Sequence, residues 1–365
     1  MFKNNIFFYE NRILGLDLLR FIAIFYVFWG HGEILIPNEL SWLYNIPTII
    51  PFEGVSVFFV LSGFLIGTIL NKTIFNTDFQ SKDLMRFWIR RWFRTIPLYF
   101  IVLIVMIFVT NDLWNNNFLY FIFCQNLFFK HPDFFGVAWS LSVEEWFYFL
   151  FPALLFLLNK ILKNKINSIL IISFLFILIP LLLRMFFFNN LDLDVSKKIV
   201  FLRLDSMIYG VFASIIYFHK NELWRKFDKY SIAISFLLLI LLFTKNYYLS
   251  PSNIKIFTFN LESLSVMFLL PYLSSVKKFR FQIINKLIVY VSKISYSLYL
   301  IHGSLILWFI IRNIEISDFI LSFRFENQRF MLFGLYILFS FGLATLMYLY
   351  IEVPILKYRD KITNH

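Results

Sequence analysis

Charge is what this chain has least of. Only 15% of its 365 residues are Asp, Glu, Lys or Arg, while 60% are hydrophobic and the mean hydropathy is +0.73. Soluble domains carry about 25% charged residues, so the composition excludes an ordinary soluble protein and points to an all-α, polytopic membrane protein. Cysteine is nearly absent. Cys124 stands alone, which rules out a disulfide framework and a cysteine-based metal site, and no metal is expected. Acidic residues are scarce beside basic ones, 22 against 34, for a net charge of +12. Such an excess suits a nucleic-acid binder, but its placement along the chain follows the positive-inside rule, so no nucleic acid is expected. What is abundant is phenylalanine, 51 residues within an aromatic share of 22%, read as bulk packing among helices and lipid.

Runs close to the ~20 apolar residues that cross a bilayer predict about ten helices, near 13–33, 52–70, 93–111, 141–158, 167–188, 199–218, 231–243, 256–273, 286–311 and 330–352. The run 117–129 is too short to cross and reads as a half-inserted or surface helix. No small-residue cleavage site follows the first run, so it is expected to be a retained helix and not a signal peptide. One alternating set of loops holds most of the cations, among them Lys72, Arg86, Lys160, Lys165, Arg225 and Lys277, and the opposite set holds fewer, including Lys130, Lys198, Lys245 and Arg324. This bias puts both termini in the cytosol of a cell inner or plasma membrane. No loop is long enough for a separate catalytic unit and no repeat is visible, so residues 1–365 read as one transmembrane domain.

Against that apolar background the ionisable residues stand out, since charge inside a span is costly and suggests function. The stretch Gly15–Ile36 carries Asp17, Arg20, His31 and Glu33. Arg20 and His31 are eleven residues apart, which at ~100° and ~1.5 Å per residue puts them on nearly one face and ~16 Å apart. The topology places Arg20 toward the cytosol and His31 toward the exterior. The second span, GVSVFFVLSGFLIG, mixes Gly63 and Gly67 with Ser62, read either as a close-packing seam or as a site lining. At the cytosolic entrance of the third span, RFWIRRWFRTIPLYF holds Arg86, Arg90, Arg91 and Arg94. Guanidinium forks match phosphate oxygens, so this cluster suits either a nucleotide-like donor or anionic lipid headgroups.

WSLSVEEWFYFLFP, at the outer start of the fourth span, puts Ser140, Glu144 and Tyr148 on one stripe, with Ser142 and Glu145 off it. Glu144 is expected at the level of His31, where a carboxylate orients an imidazole base. In FLRLDSMIYG, Arg203 and Asp205 are two residues apart and cannot face each other on a helix, so each needs a partner elsewhere, and a structural ion pair is favoured. VSKISYSLYLIHG places Ser292, Ser295, Tyr299 and His302 on one face; His302 is either a second site residue or a core histidine bonded to hydroxyls. Glu352 before Pro354 reads as a helix stop.

Taken in order, LDLLRFIAIFYVFWGH, GVSVFFVLSGFLIG, RRWFRTIPLY, WSLSVEEWFYFLFP and SYSLYLIH resemble the membrane-bound acyltransferase 3 family over essentially the whole chain. The resemblance implies a roughly ten-helix enzyme that takes an acyl group, usually acetyl, from cytosolic coenzyme A to a hydroxyl of a carbohydrate or lipid-linked glycan. It also implies that Arg20 and His31 belong to the site, that Arg91 and Arg94 serve the donor, and that Glu144 is the carboxylate of its motif. Trp146 stands where many relatives have Gln. Some relatives add an extracytoplasmic esterase-like domain, absent from this sequence, so either the membrane domain completes the transfer or a separate extracytoplasmic transferase does.

The resulting expectation is an O-acyltransferase of cell-surface polysaccharide. His31 would be the base, Glu144 its orienting carboxylate, and Arg20 a charge stabiliser. Arg90, Arg91 and Arg94 would hold acetyl-CoA as a substrate, with no resident cofactor. The rival is a transporter of a glycan or lipid-linked sugar, in which the same polar face lines a passage.

Overall fold

The computed structural model describes residues 12–36, 53–76, 79–110, 118–187, 191–244, 251–312 and 328–363. Both chain termini, and the loop positions Lys245 and Arg324, lie outside them. Within them the protein is helical without strands: α1 (Leu14–Gly32), α2 (Gly54–Asn76), α3 (Ser81–Thr110), α4 (Ala138–Leu162), α5 (Lys165–Phe187), α6 (Asp205–His219), α7 (Asn221–Phe243), α8 (Pro251–Ser275), α9 (Gln282–Ile301), α10 (Gln328–Met347) and α11 (Val353–Thr363). Eight spans among the described residues are long and apolar enough to cross a membrane. The two other expected segments, 199–218 and 231–243, correspond to α6, a helix of 15 residues, and to α7, whose first turns are charged.

The helices pack as α1 against α2 and α9, α2 against α6, and α7 against α8. The α2–α6 contact shows what the glycines do. A Cβ on Gly63 would run into the carbonyl oxygen of Met207, and one on Gly210 into that of Val60, so the two backbones touch through absent side chains. The packing seam is therefore real, and Ser62 beside it faces the other way, into a cavity.

Two sequence expectations change. Of the run 117–129, the described residues 118–129 do not form the half-inserted or surface helix expected: past Phe118–Phe121 the chain turns irregularly, with Phe123 at φ 56°. Irregular backbone cannot satisfy its own polar groups as a helix does and must find partners elsewhere, and this segment finds them inside the protein. Tyr99 donates to the Tyr120 carbonyl at 3.0 Å, Trp146 Nε1 to that of Phe123 at 2.9 Å, and the Val200 amide to that of Asn126 at 2.9 Å. Trp146 thus has a definite contact, holding this segment to α4. Glu352 is no helix stop either. It closes a widened turn, Tyr348–Glu352, and the helix runs on through Pro354 into α11, the local widening accommodating a residue that has no amide hydrogen to donate. Its carboxylate is buried and accepts from Ser297.

Arg203 and Asp205 find the partners their spacing denied them, and those partners build a network around the start of α6 rather than a site. Arg184 of α5 reaches Asp205 at 2.5 Å and Asn260 of α8 at 2.6 Å. Arg203 donates to Ser56 at 2.9 Å, Ser56 donates to Glu262 at 2.6 Å, and the guanidinium lies 4.0 Å from the Phe259 ring centre. This ties α2, α5, α6 and α8 together behind the cavity wall.

Candidate functional site

A cavity opens between α1, α2, α3, α4 and α9. Its polar lining comes from five helices: Arg20 from α1, Ser62 from α2, Arg91 and Arg94 from α3, Glu144 and Tyr148 from α4, and Tyr299 from α9. Each position follows from helical spacing. Arg91 and Arg94 are three apart on α3, and Ser140, Glu144 and Tyr148 repeat every fourth residue on α4, so a single edge of each helix faces inward.

Arg20 is positioned by Asp17, one turn earlier. The Asp17 carboxylate takes a charge-assisted pair from Arg12 and a hydrogen bond from Ser292 at 2.7 Å, with the Arg20 guanidinium 3.7 Å away. Asp17 is thus a structural neighbour that holds the cation in place. Glu144 accepts from Ser62 at 3.1 Å and from Tyr148 at 2.9 Å, and Arg91 lies 5.3 Å from the Tyr148 ring centre. Glu144 therefore sits at the arginine end of the cavity. The expected pairing of Glu144 with His31 is not what the structure has, because Glu144 lies a full turn inside Ser140 and its oxygens are taken by Ser62 and Tyr148.

The imidazole of His31 has a different neighbour. Its Nδ1 lies 2.8 Å from Nε2 of His302, and the rings are nearly parallel, at 16°. His302 Nδ1 lies 2.8 Å from the Leu298 carbonyl, one turn back on α9. The His302 ring centre is 6.1 Å from that of Tyr299, which lines the cavity and hydrogen bonds Ser140 at 2.6 Å. One file of polar groups thus leads from Arg91, Arg94 and Arg20 past Glu144 and Tyr299 to the histidine pair. His302 is not the core histidine bonded to hydroxyls that the sequence offered as one reading, for its partners are an imidazole and a backbone carbonyl.

The remaining candidates scatter. Arg90 faces outward, 3.8 Å from Asp360 of α11, and with Arg86 and Arg91 lines a separate surface cleft. Arg91 borders both openings. Ser142 is buried against Gln125 at 2.6 Å and anchors the irregular segment. Arg203 and Asp205 stay in the network behind the wall. Thr95 was not foreseen: it lines the cavity and donates to Glu145 at 2.5 Å, so the second carboxylate is engaged just behind the first. A lone threonine after an arginine cluster carries no sequence signal. Near the histidines the charged groups are Lys197, paired with Glu53 at 2.9 Å and Asp194 at 2.6 Å, and Lys198. In the segment before α4, burial and then Lys198 push His131 down to about 4.

A family model described as an acyltransferase domain matches residues 13–349. A Staphylococcus aureus (strain COL) protein named "Putative O-acetyltransferase SACOL0978" is 29% identical over 391 aligned positions, covering 96% of this chain and 58% of that protein. The "Peptidoglycan O-acetyltransferase OatA" of Listeria monocytogenes serovar 1/2a (strain ATCC BAA-679 / EGD-e) is 31% identical over 174 positions, 42% of this chain and 26% of its own. The "O-acetyltransferase OatA" of Staphylococcus aureus (strain NCTC 8325 / PS 47) is 33% identical over 192 positions, 45% and 29% of the two chains. The chain thus spans 58% of the length of the first of these relatives. No solved structure matches.

Proposed function

The chain belongs to this acyltransferase family, and from that premise we propose that it is a membrane O-acetyltransferase, moving acetyl from cytosolic acetyl-CoA to a hydroxyl of a cell-surface or lipid-linked carbohydrate. One observation carries the reading: a cavity is lined by three guanidiniums, Arg20, Arg91 and Arg94, and by Tyr299, whose ring centre stands 6.1 Å from that of His302, the partner of His31.

In this reading Arg91 and Arg94 bind donor phosphates, with Arg90 at the neighbouring cleft, and Arg20 stabilises charge at the inner end of the acyl arm. The ~16 Å rise from Arg20 to His31 along α1 matches an extended pantetheine in order of length. His31 takes the proton of the acceptor hydroxyl as its oxygen bonds the acyl carbon; the thioester C–S bond breaks, and the proton passes to the leaving thiolate. Glu144, held by Ser62 and Tyr148, orders the arginine end. The acceptor enters from the exterior at His31, alone or through a separate extracytoplasmic transferase.

The test is turnover of labelled acetyl-CoA by the full chain in nanodiscs with acceptor glycans. The expected result is thioester cleavage coupled to O-acetyl ester. Vectorial movement of glycan in proteoliposomes without thioester cleavage would overturn it in favour of a transporter. The orientation has its own test. In a Cys124→Ser background, a thiol at Lys130 should react with an impermeant reagent in intact cells and one at Lys160 should not; the reverse labelling inverts the donor and acceptor sides.

A further inference from the structure

We propose that His302 is a positioning residue that fixes the tautomer of His31, so that the base is specifically His31 Nε2. The inference rests on the reading of His31 as the base and adds which nitrogen acts and what makes it act.

The argument is one of donors and acceptors. His302 Nδ1 lies 2.8 Å from the Leu298 carbonyl oxygen, which can only accept, so Nδ1 carries the hydrogen. A neutral imidazole then has a lone pair at Nε2. His302 is 0% exposed and, among the described residues, has no carboxylate bonded to it that would offset the cost of enclosing it as a cation. His31 Nδ1 faces that lone pair at 2.8 Å, and two lone pairs cannot meet there, so His31 Nδ1 is the donor. The relay runs from His31 Nδ1–H to His302 Nε2 and from His302 Nδ1–H to the backbone. It leaves one nitrogen whose lone pair is not engaged in the relay, His31 Nε2, on the only one of the two rings that is exposed.

Geometry supports the assignment. Ring centroids stand 5.0 Å apart at 16°, so the nitrogens meet edge to edge and lock the orientation of His31 as well as its protonation. A widened turn, His302–Leu307, begins at this residue, a departure from α-helical winding that recurs at functional sites. His302 itself cannot touch an acceptor, because the buried ring has Phe28 and Tyr299 at 6.0 and 6.1 Å on its other sides. It acts through His31 alone.

Nitrogen-15 NMR of the full chain in nanodiscs, labelled at histidine and assigned by loss of the His31 signals in His31→Ala, reads the tautomer directly. The expected pattern is His31 protonated at Nδ1 and bare at Nε2, with His302 likewise; His31 found protonated at Nε2 overturns the proposal. Kinetics give a second reading. His302→Gln keeps an acceptor facing His31 and should retain kcat within about tenfold, whereas His302→Lys offers only donors and should lose about 10²-fold or more, the range of general-base catalysis, with the donor KM unchanged in both. Equal kcat in the Gln and Lys variants would point to mere packing and overturn the relay. Should the chain fail to cleave acetyl-CoA while the NMR pattern holds, the acyltransfer reading falls and the relay stands.

Discussion

Two regions of this protein gather arginine and use it in opposite ways. Around the start of α6, Arg184 and Arg203 are both 0% exposed, and each has a local answer: Asp205 and Asn260 for the first, Ser56 and the Phe259 face for the second, with Glu262 behind Ser56. Around the cavity, Arg20, Arg91 and Arg94 converge on open space, and the carboxylate among them, Glu144, is held by two hydroxyls. The first network ties helices together; the guanidiniums that line the cavity, Arg20 beside Asp17 among them, are in the proposed reading those that take the donor's charge. Charge in a span is therefore a weak guide to function until its partner is known.

The largest expected contrast comes from breaking one member of each region. Asp205→Ala leaves the Arg184 charge enclosed and should cost about 3–5 kcal/mol, seen as lost yield and a lowered Tm. His31→Ala should do the reverse, abolishing acetyl transfer at unchanged Tm. Were Asp205→Ala to fold normally and lose only donor binding, the network would have to be counted as part of the site.

Arg91→Ala and Arg94→Ala should each weaken acetyl-CoA binding by about 1.5–3 kcal/mol, the worth of one charge-assisted bond. Lysine should restore it only in part, since an ammonium lacks the planar fork. Titration of donor into the purified variants measures this. Unchanged affinity in the double alanine variant would reduce the cluster to a lipid anchor.

Smaller still is Arg90→Ala. Its pair with Asp360 is nearly half exposed on both sides and should contribute no more than about 1 kcal/mol of stability. Its effect on donor affinity should fall below that of Arg91, which borders both openings.

A pH effect sharpens the boundary between stability and catalysis. His131, buried and pushed down to about 4, stays neutral in the fold while its unfolded form titrates near 6.5. Between those values the unfolded state binds more protons, so stability falls as pH drops from 6.5 toward 4 and is fully present above 6.5. His131→Phe should flatten that slope in melting experiments and leave the rate profile above pH 6.5 alone.

Much of this was legible in the residues. Low charge and long apolar runs dictated membrane helices, because a backbone in lipid must satisfy its own hydrogen bonds. The eleven-residue interval put Arg20 and His31 on one face of one helix, and the four-residue repeat put Ser140, Glu144 and Tyr148 on one edge of another, since periodicity is a local property of the chain. Local periodicity cannot say which edge meets which. That Glu144 joins Ser62 and the arginines, that His31 meets a residue 271 positions later, and that Arg203 and Asp205 each bond to other helices depended on how the helices assemble. Those pairings are set by packing at contacts such as Gly63 against Met207, where the fit of two surfaces, and not the pattern along either one, decides which side chains come within hydrogen-bond reach.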